Sequence, residues 1–166
     1  MTIRAFTGTR QEHAAIEAIF FLSSTTPLQG GARESFFRIW AGNYLDRMPG
    51  QCLIHEEEER VLGYLVGCAN SRDAAPLLEE IFYYDTFAEF YDAYPAHLHI
   101  NLHPEARGQG IGGELVKNYI ARVGVPTHVM TAVGARNVTF YERLGFATVA
   151  VRRLKDRDLV MLGRTV

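Results

Sequence analysis

The sequence predicts an α+β fold, a twisted mixed β-sheet of six or seven strands with helices on both faces. Three observations carry that expectation. Residues 97–103, HLHINLH, alternate between apolar and polar side chains without a break, the two-residue period of a strand. Directly after it, HPEARGQGIGGEL turns through glycines into a stretch with the 3.6-residue apolar period of a helix. Elsewhere, apolar runs facing each other across turn residues read as hairpins, interleaved with amphipathic helical segments.

In chain order, residues 2–6 read as a short strand, and TRQEHAAIEAIFFL then sets Ile16, Ile19 and Phe20 at helical spacing behind a Thr9 cap. After the loop PLQGGA, RESFFRIWAGNYLDRM carries a second helical pattern, closed by Pro49 and Gly50. QCLIHE and RVLGYLVGCA form a hairpin through Glu57, Glu58 and Glu59, an acidic run expected to be a solvated turn. Residues 74–94 read as a helix with Leu77, Leu78, Ile81 and Phe82 inward and Phe87, Phe90, Tyr91 and Tyr94 in a core cluster. Along the alternating strand, Leu98, Ile100 and Leu102 take the buried face; His97, His99, Asn101 and His103 take the polar one. The next helix buries Ile111, Leu115, Tyr119 and Val123 and stops at Gly124 and Pro126. THVMTAVG is a strand, RNVTFYERLG a short helix with Gly145 past its end, and FATVAVRRL and LVMLGRTV are closing strands around Asp156.

Length and charge narrow the function. With 166 residues, the expectation is one domain over 1–166. A net charge of -2 provides no basic footprint for a nucleic acid. No run of about 18 apolar residues is present for a membrane span, and the amphipathic N-terminus lacks a signal-peptide pattern, so a soluble cytoplasmic protein is expected. Cys52 and Cys68 sit in apolar strands without paired spacing and read as small buried hydrophobes.

The glycine loop is the feature that needs a ligand. A strand turning through small residues into a helix exposes unpaired N–H groups, and with the helix dipole they form an anion site. Gly108, Gly110, Gly112 and Gly113 let the backbone approach a phosphate closely, and Arg107 adds a charge at the loop's mouth. Gly108, Gly110 and Gly113 match GxGxxG, but no acidic residue occurs in 126–135, where a dinucleotide fold needs one. A phosphate loop of the Gly-Lys-Ser/Thr type fails as well.

The pattern that fits is R/Q-x-x-G-x-G/A, met by Arg107, Gly110 and Gly112 after an alternating strand and before a helix. It resembles the pyrophosphate loop of GCN5-related N-acetyltransferases (GNAT), which use acetyl-CoA. INLHPEARGQGIGGELV is similar to that family's strand-turn-helix unit, and FYERLGF to its later helix and strand. Within the family, YPAHLHINLHPEARGQGIG looks closest to the acetyltransferase-like domain of O-GlcNAcases and bacterial relatives.

The resemblance implies roles residue by residue. Ile100, Asn101 and Leu102 offer main-chain groups to the pantetheine arm where two parallel strands, near 98–102 and 127–133, splay apart. The amides of Arg107, Gly108, Gln109, Gly110, Ile111 and Gly112 take the pyrophosphate. Tyr141, with Phe140 beside it, matches the tyrosine that protonates or hydrogen-bonds the leaving thiolate. Two departures stand out: Gly134 occupies the place of a cofactor-contacting asparagine, for which Asn137 is the substitute, and the strand before it lacks the glutamate base of many members. His99, acting through water, is the base candidate; Glu79, Glu80, Asp85 and Glu89 are alternatives that also read as a solvated helix face. His97, His99 and His103 at alternate positions suggest a metal, but no further ligand at suitable spacing is evident and none is expected. The implied activity is transfer of acetyl to a small-molecule or peptide primary amine in a ternary complex, by an enzyme that forms homodimers in many family members. The alternative is an acetyl-CoA-binding module with little or no turnover.

Overall fold

A computed structural model describes residues 2–24, 27–75, 81 and 83–166. Its strands are β1 (Thr2–Ala5), β2 (Leu53–Glu57), β3 (Arg60–Cys68), β4 (Ala96–Leu102), β5 (Thr127–Ala132), β6 (Ala147–Leu154) and β7 (Arg157–Arg164). They form a seven-stranded mixed sheet in the order β1-β2-β3-β4-β5-β7-β6, the α+β arrangement read from the sequence. The helices are α1 (Arg10–Ser23), α2 (Gly30–Phe37), α3 (Asn43–Arg47), α4 (Ile111–Val123) and α5 (Arg136–Arg143). Packing divides the chain into two compact units, Met1–Gly67 with His99–Tyr119 and Cys68–Leu98 with Ile120–Val166.

In the first unit, the Thr9 hydroxyl caps α1 by accepting the Glu12 N–H at 3.2 Å. Glu12 is itself buried and accepts from Thr7 N–H at 2.8 Å and from Arg4 at 2.6 Å, while Arg4 also pairs with Glu56. This network ties β1 to α1 and β2. Burial pushes the Glu12 carboxyl up, but the Arg4 and Thr7 hydrogen bonds outweigh it and hold it below the usual range. Glu12→Ala leaves Arg4 without its best partner and is expected to cost about 2–3 kcal/mol, read as a lowered urea midpoint; Leu22→Ala, at a half-exposed site on the same helix, serves as the mild comparison.

The second helical pattern is not one regular helix. Between α2 and α3, residues Arg38–Gly42 make a π-helical turn in which the Asn43 N–H reaches back to the Arg38 carbonyl. The β2–β3 hairpin turns at Glu58 and Glu59, both in the left-handed region at φ 49° and 62°, as a tight hairpin turn requires. On α4, Val116 and Ile120 join Ile111, Leu115 and Tyr119 in the buried stripe, whereas Val123 is only half-buried.

The second unit corrects two expectations. In place of a continuous helix over 74–94, Tyr84–Phe90 form 3-10 turns broken at Phe87 (φ -123°, ψ 19°); Leu77, Leu78, Glu79, Glu80 and Phe82 lie outside the described residues. Phe87 and Tyr91 are nevertheless core residues, so burial was legible where helicity was not. The start of β4 is also covered on both faces, with His97 6% and Leu98 7% exposed. His97 lies against Ser71 Oγ at 2.7 Å and Tyr84 Oη at 3.1 Å, and His128 Nδ1–H donates to the Tyr94 carbonyl at 2.7 Å while stacking on Tyr91.

Burial holds His97 well below the usual imidazole range and His128 at about 4. Between about pH 4 and 6.5 an unfolded imidazole binds a proton that the buried one refuses, so stability rises with pH across that window. It is complete above about 6.5 and drains away towards 4, by roughly 3 kcal/mol for His128, with His97 acting in the same direction. Urea unfolding at about pH 7 and about pH 5 checks this: the acid midpoint falls, whereas an unchanged midpoint contradicts it.

Candidate active site

The glycine loop is built from the end of β4 upward. His103 Nδ1 accepts the Glu105 N–H at 3.4 Å and opens a 3-10 turn over Pro104–Ala106, with Ala106 buried as its anchor. The Gln109 side chain folds back to donate to the Glu105 carbonyl at 2.6 Å. Gly108 and Gly110 then sit at φ +76° and +80°, with open space where a Cβ would stand. The first helical bond of α4 runs from Glu114 N–H to the Gly110 carbonyl at 3.1 Å, so the amides of Ile111, Gly112 and Gly113 precede it. Glycine conformation and helix start together leave a backbone cradle of N–H groups at the positive end of a 13-residue helix. That is the donor set a diphosphate requires, and the residues present fit it.

The Arg107 guanidinium bridges two groups, donating from Nε to the Leu102 carbonyl at 3.2 Å and from Nη2 to Ser23 Oγ at 3.1 Å. Leu102 thus spends its carbonyl on Arg107, while the His103 N–H goes to Leu62 at 2.9 Å. The parallel β4–β5 ladder comprises Ala96↔Thr127 and His97↔His128.

In the same unit, His99 lies in a cleft of about 200 Å³ lined by Phe20, Ser23, Ser24, Phe36, Trp40 and Asn101. The Asn101 amide donates to the Tyr64 hydroxyl at 2.8 Å and stands 3.0 Å from His99 Nε2. Desolvation lowers the His99 pKa to about 4, so the imidazole is neutral at physiological pH. Phe20, Phe36, Trp40 and Tyr64 were not singled out from the sequence as site residues. Their periodicity reads equally well as core, and only the π-helical turn distinguishes Trp40.

The other unit holds Tyr141, Phe140 and Asn137. α5 ends at Gly145 (φ +83°), which turns Phe146 back so that its N–H donates to the Tyr141 carbonyl at 3.1 Å and its ring packs 5.4 Å from the Tyr141 ring. Phe140 closes on the other side at 5.0 Å. Tyr141 is 5% exposed, and burial raises its pKa well above the usual phenol value. Among the described residues its hydroxyl has no hydrogen-bond partner. Asn137 is exposed in the first turn of α5 and accepts from Thr131 Oγ1 at 3.0 Å. Gly134, at φ +76°, shapes the turn before it.

Cys52 and Cys68 are buried free thiols. His97 is enclosed by Ser71 and Tyr84, and among the described residues no three His, Cys, Asp or Glu side chains gather as a metal-holding group. No helix there is long and apolar enough to cross a membrane.

Comparison with known proteins agrees with this geometry. Among curated proteins none matches the sequence. Among solved structures, SsHAT is similar at TM-score 0.78 and 21% identity, covering 99% of this chain and 97% of its own. A Drosophila melanogaster polyamine N-acetyltransferase that forms N-acetylagmatine is similar at TM-score 0.68 and 16% identity, covering 99% of each chain. An aminoglycoside 6'-N-acetyltransferase complexed with coenzyme A is similar at TM-score 0.70 and 12% identity, covering 99% of this chain and 97% of its own. At these identities the likeness shows the fold. The family model described as "Acetyltransferase (GNAT) domain" matches residues 49–148, more than half of the sequence. With that match spanning the glycine loop, Tyr141 and both flanking strands, the chain belongs to the GNAT family of acetyl-CoA-dependent acetyltransferases.

Proposed function

We propose that the chain moves the acetyl group of acetyl-CoA to a primary amine by direct attack in a ternary complex. The observation that carries this reading is Tyr141, a buried phenol kept protonated by its surroundings and with no described partner for its hydroxyl. The bound donor supplies a thioester whose carbonyl the amine attacks, a C–N bond forming as the C–S bond breaks. Of the run Arg107–Gly112, the amides from Gly108 to Gly112 hold the diphosphate, the Arg107 N–H being donated to the Pro104 carbonyl at 3.2 Å, and Ile100–Leu102 support the pantetheine arm. Tyr141 donates a hydrogen bond to the developing thiolate. Because a thiol of pKa near 8.5 is more acidic than this phenol, complete proton transfer from Tyr141 is uphill and hydrogen bonding is its main contribution.

His99, neutral and facing the cleft, accepts the proton the amine loses, directly or through one water, as the Asn101 amide that donates to its Nε2 gives way. Its low basicity makes it a weak base for an ammonium, so the amine must arrive deprotonated. The narrower resemblance to O-GlcNAcase-associated domains rests on YPAHLHINLHPEARGQGIG alone.

A second reading, an acetyl-CoA-binding module without turnover, draws on Gly134 and on a β5 that carries no carboxylate. Thiol release from acetyl-CoA with a panel of primary amines separates the two. Amine-dependent release supports transfer; binding of acetyl-CoA without release with any amine supports the module.

A further inference from the structure

The cleft around His99 is more aromatic than amine acetylation demands. Phe20 comes from α1, Phe36 from α2 and Trp40 from the π-helical turn, with ring centroids 5.4 Å (Phe20–Phe36), 6.3 Å (Phe36–Trp40), 5.9 Å (Trp40–His99) and 6.3 Å (Phe20–His99) apart. Such turns are rare and concentrate at functional sites, and this one carries the single tryptophan of the chain. Phe36, Trp40 and His99 are each half-buried, so their surfaces line the cleft rather than filling it.

Polar groups are few: the Ser23 and Ser24 hydroxyls from the end of α1, and the Asn101 amide and His99 ring, which lie together on β4. Among the described residues lining it, none is an Asp or Glu. A polycationic acceptor would lose hydration here without meeting a counter-charge. An ammonium held by the ring faces would be stabilised in its protonated, unreactive form. A flat ring, by contrast, gains edge and face contacts with Phe20, Phe36 and Trp40, and its amine finds polar company at Asn101 and His99.

We propose that this cleft takes the aryl end of an arylalkylamine against the surfaces that Phe36 and Trp40, backed by Phe20, turn towards it and presents the amine to His99 and Asn101. The proposal rests on the amine-acetylation reading above and narrows its acceptor. The reaction balances with one proton moving, through the protein and solvent, from the amine nitrogen to the departing sulfur.

Because Trp40 is the only tryptophan, its emission reports the cleft directly, without acetyl-CoA or turnover. Phenethylamine is expected to change that emission saturably, at a concentration about tenfold or more below that needed for hexylamine or spermidine. In thiol-release assays kcat/KM follows the same order. Phe36→Ala erases the preference by lowering the phenethylamine value about tenfold while hexylamine stays within about threefold. Phe36→Leu, which keeps volume but removes the ring, shows the same loss if the alanine variant does not fold. Equal or better response to hexylamine or spermidine, a uniform loss across amines in the Phe36 variants, or no saturable change with any amine overturns the proposal. Calorimetry with CoA keeps the two levels apart: absence of CoA binding defeats the acetylation reading, whereas CoA binding without aryl preference defeats only this narrower one.

Discussion

Gly110→Val raises the Kd for CoA by about a hundredfold or more, roughly 3 kcal/mol. Two effects add. At φ +80° a β-branched residue is excluded sterically, so the loop must leave the conformation that points its amides outward. The Cβ position of Gly110 is open, and in the proposed complex that space is where the diphosphate meets the backbone. Losing two charge-assisted hydrogen bonds at about 1.5 kcal/mol each accounts for the magnitude. Strain costs stability too, about 1–3 kcal/mol. The control is Gly124→Val at the end of α4, where φ is +65° and the Cβ position is again open. That variant is expected to lose similar stability by urea unfolding yet keep wild-type CoA affinity by calorimetry. Equal loss of CoA binding in both would mean that strain, not the cradle, is being measured.

Tyr141→Phe lowers kcat by about 10²–10³-fold, the range for removing one hydrogen-bond donor from a developing anion. The KM for acetyl-CoA stays within about threefold, since the ring and its packing on Phe140 and Phe146 remain. Stability is not expected to fall, because the lost hydroxyl had no partner among the described residues. The pH profile adds a second reading. The folded pKa of Tyr141 lies above the ordinary value of 10, so wild-type activity shows no alkaline fall from this group up to about pH 10. A kcat equal to wild type would remove Tyr141 from the chemistry and strengthen the binding-module reading.

Legibility differed sharply between parts of the chain. HLHINLH and the glycine loop were readable because their patterns are local. A two-residue period, a positive-φ glycine and a helix start each follow from neighbours within a few positions. FYERLGF was readable for the same reason, with Gly145 ending α5 where expected. The partners of the Arg107 side chain could not be read from the sequence, because one of them, Ser23, lies 84 positions away. The covered face of His97 was hidden likewise: period-2 alternation states which side chains share a face and is silent about what packs on it. The helix expected over 74–94 gives way to 3-10 turns within the described segment, since its aromatic spacing records burial and not backbone geometry.

The sequence by itself determined the alternating strand, the positive-φ glycine turn that leads into α4 and the end of α5 at Gly145, since these depend on residue identity and short-range backbone sterics. Tertiary structure alone decided that Phe20, Phe36 and Trp40 face a cleft with His99, and that His97 and His128 are locked away as neutral rings. Burial is a sum over segments remote in the chain, and desolvation, which sets these imidazoles' protonation, exists only once those segments meet.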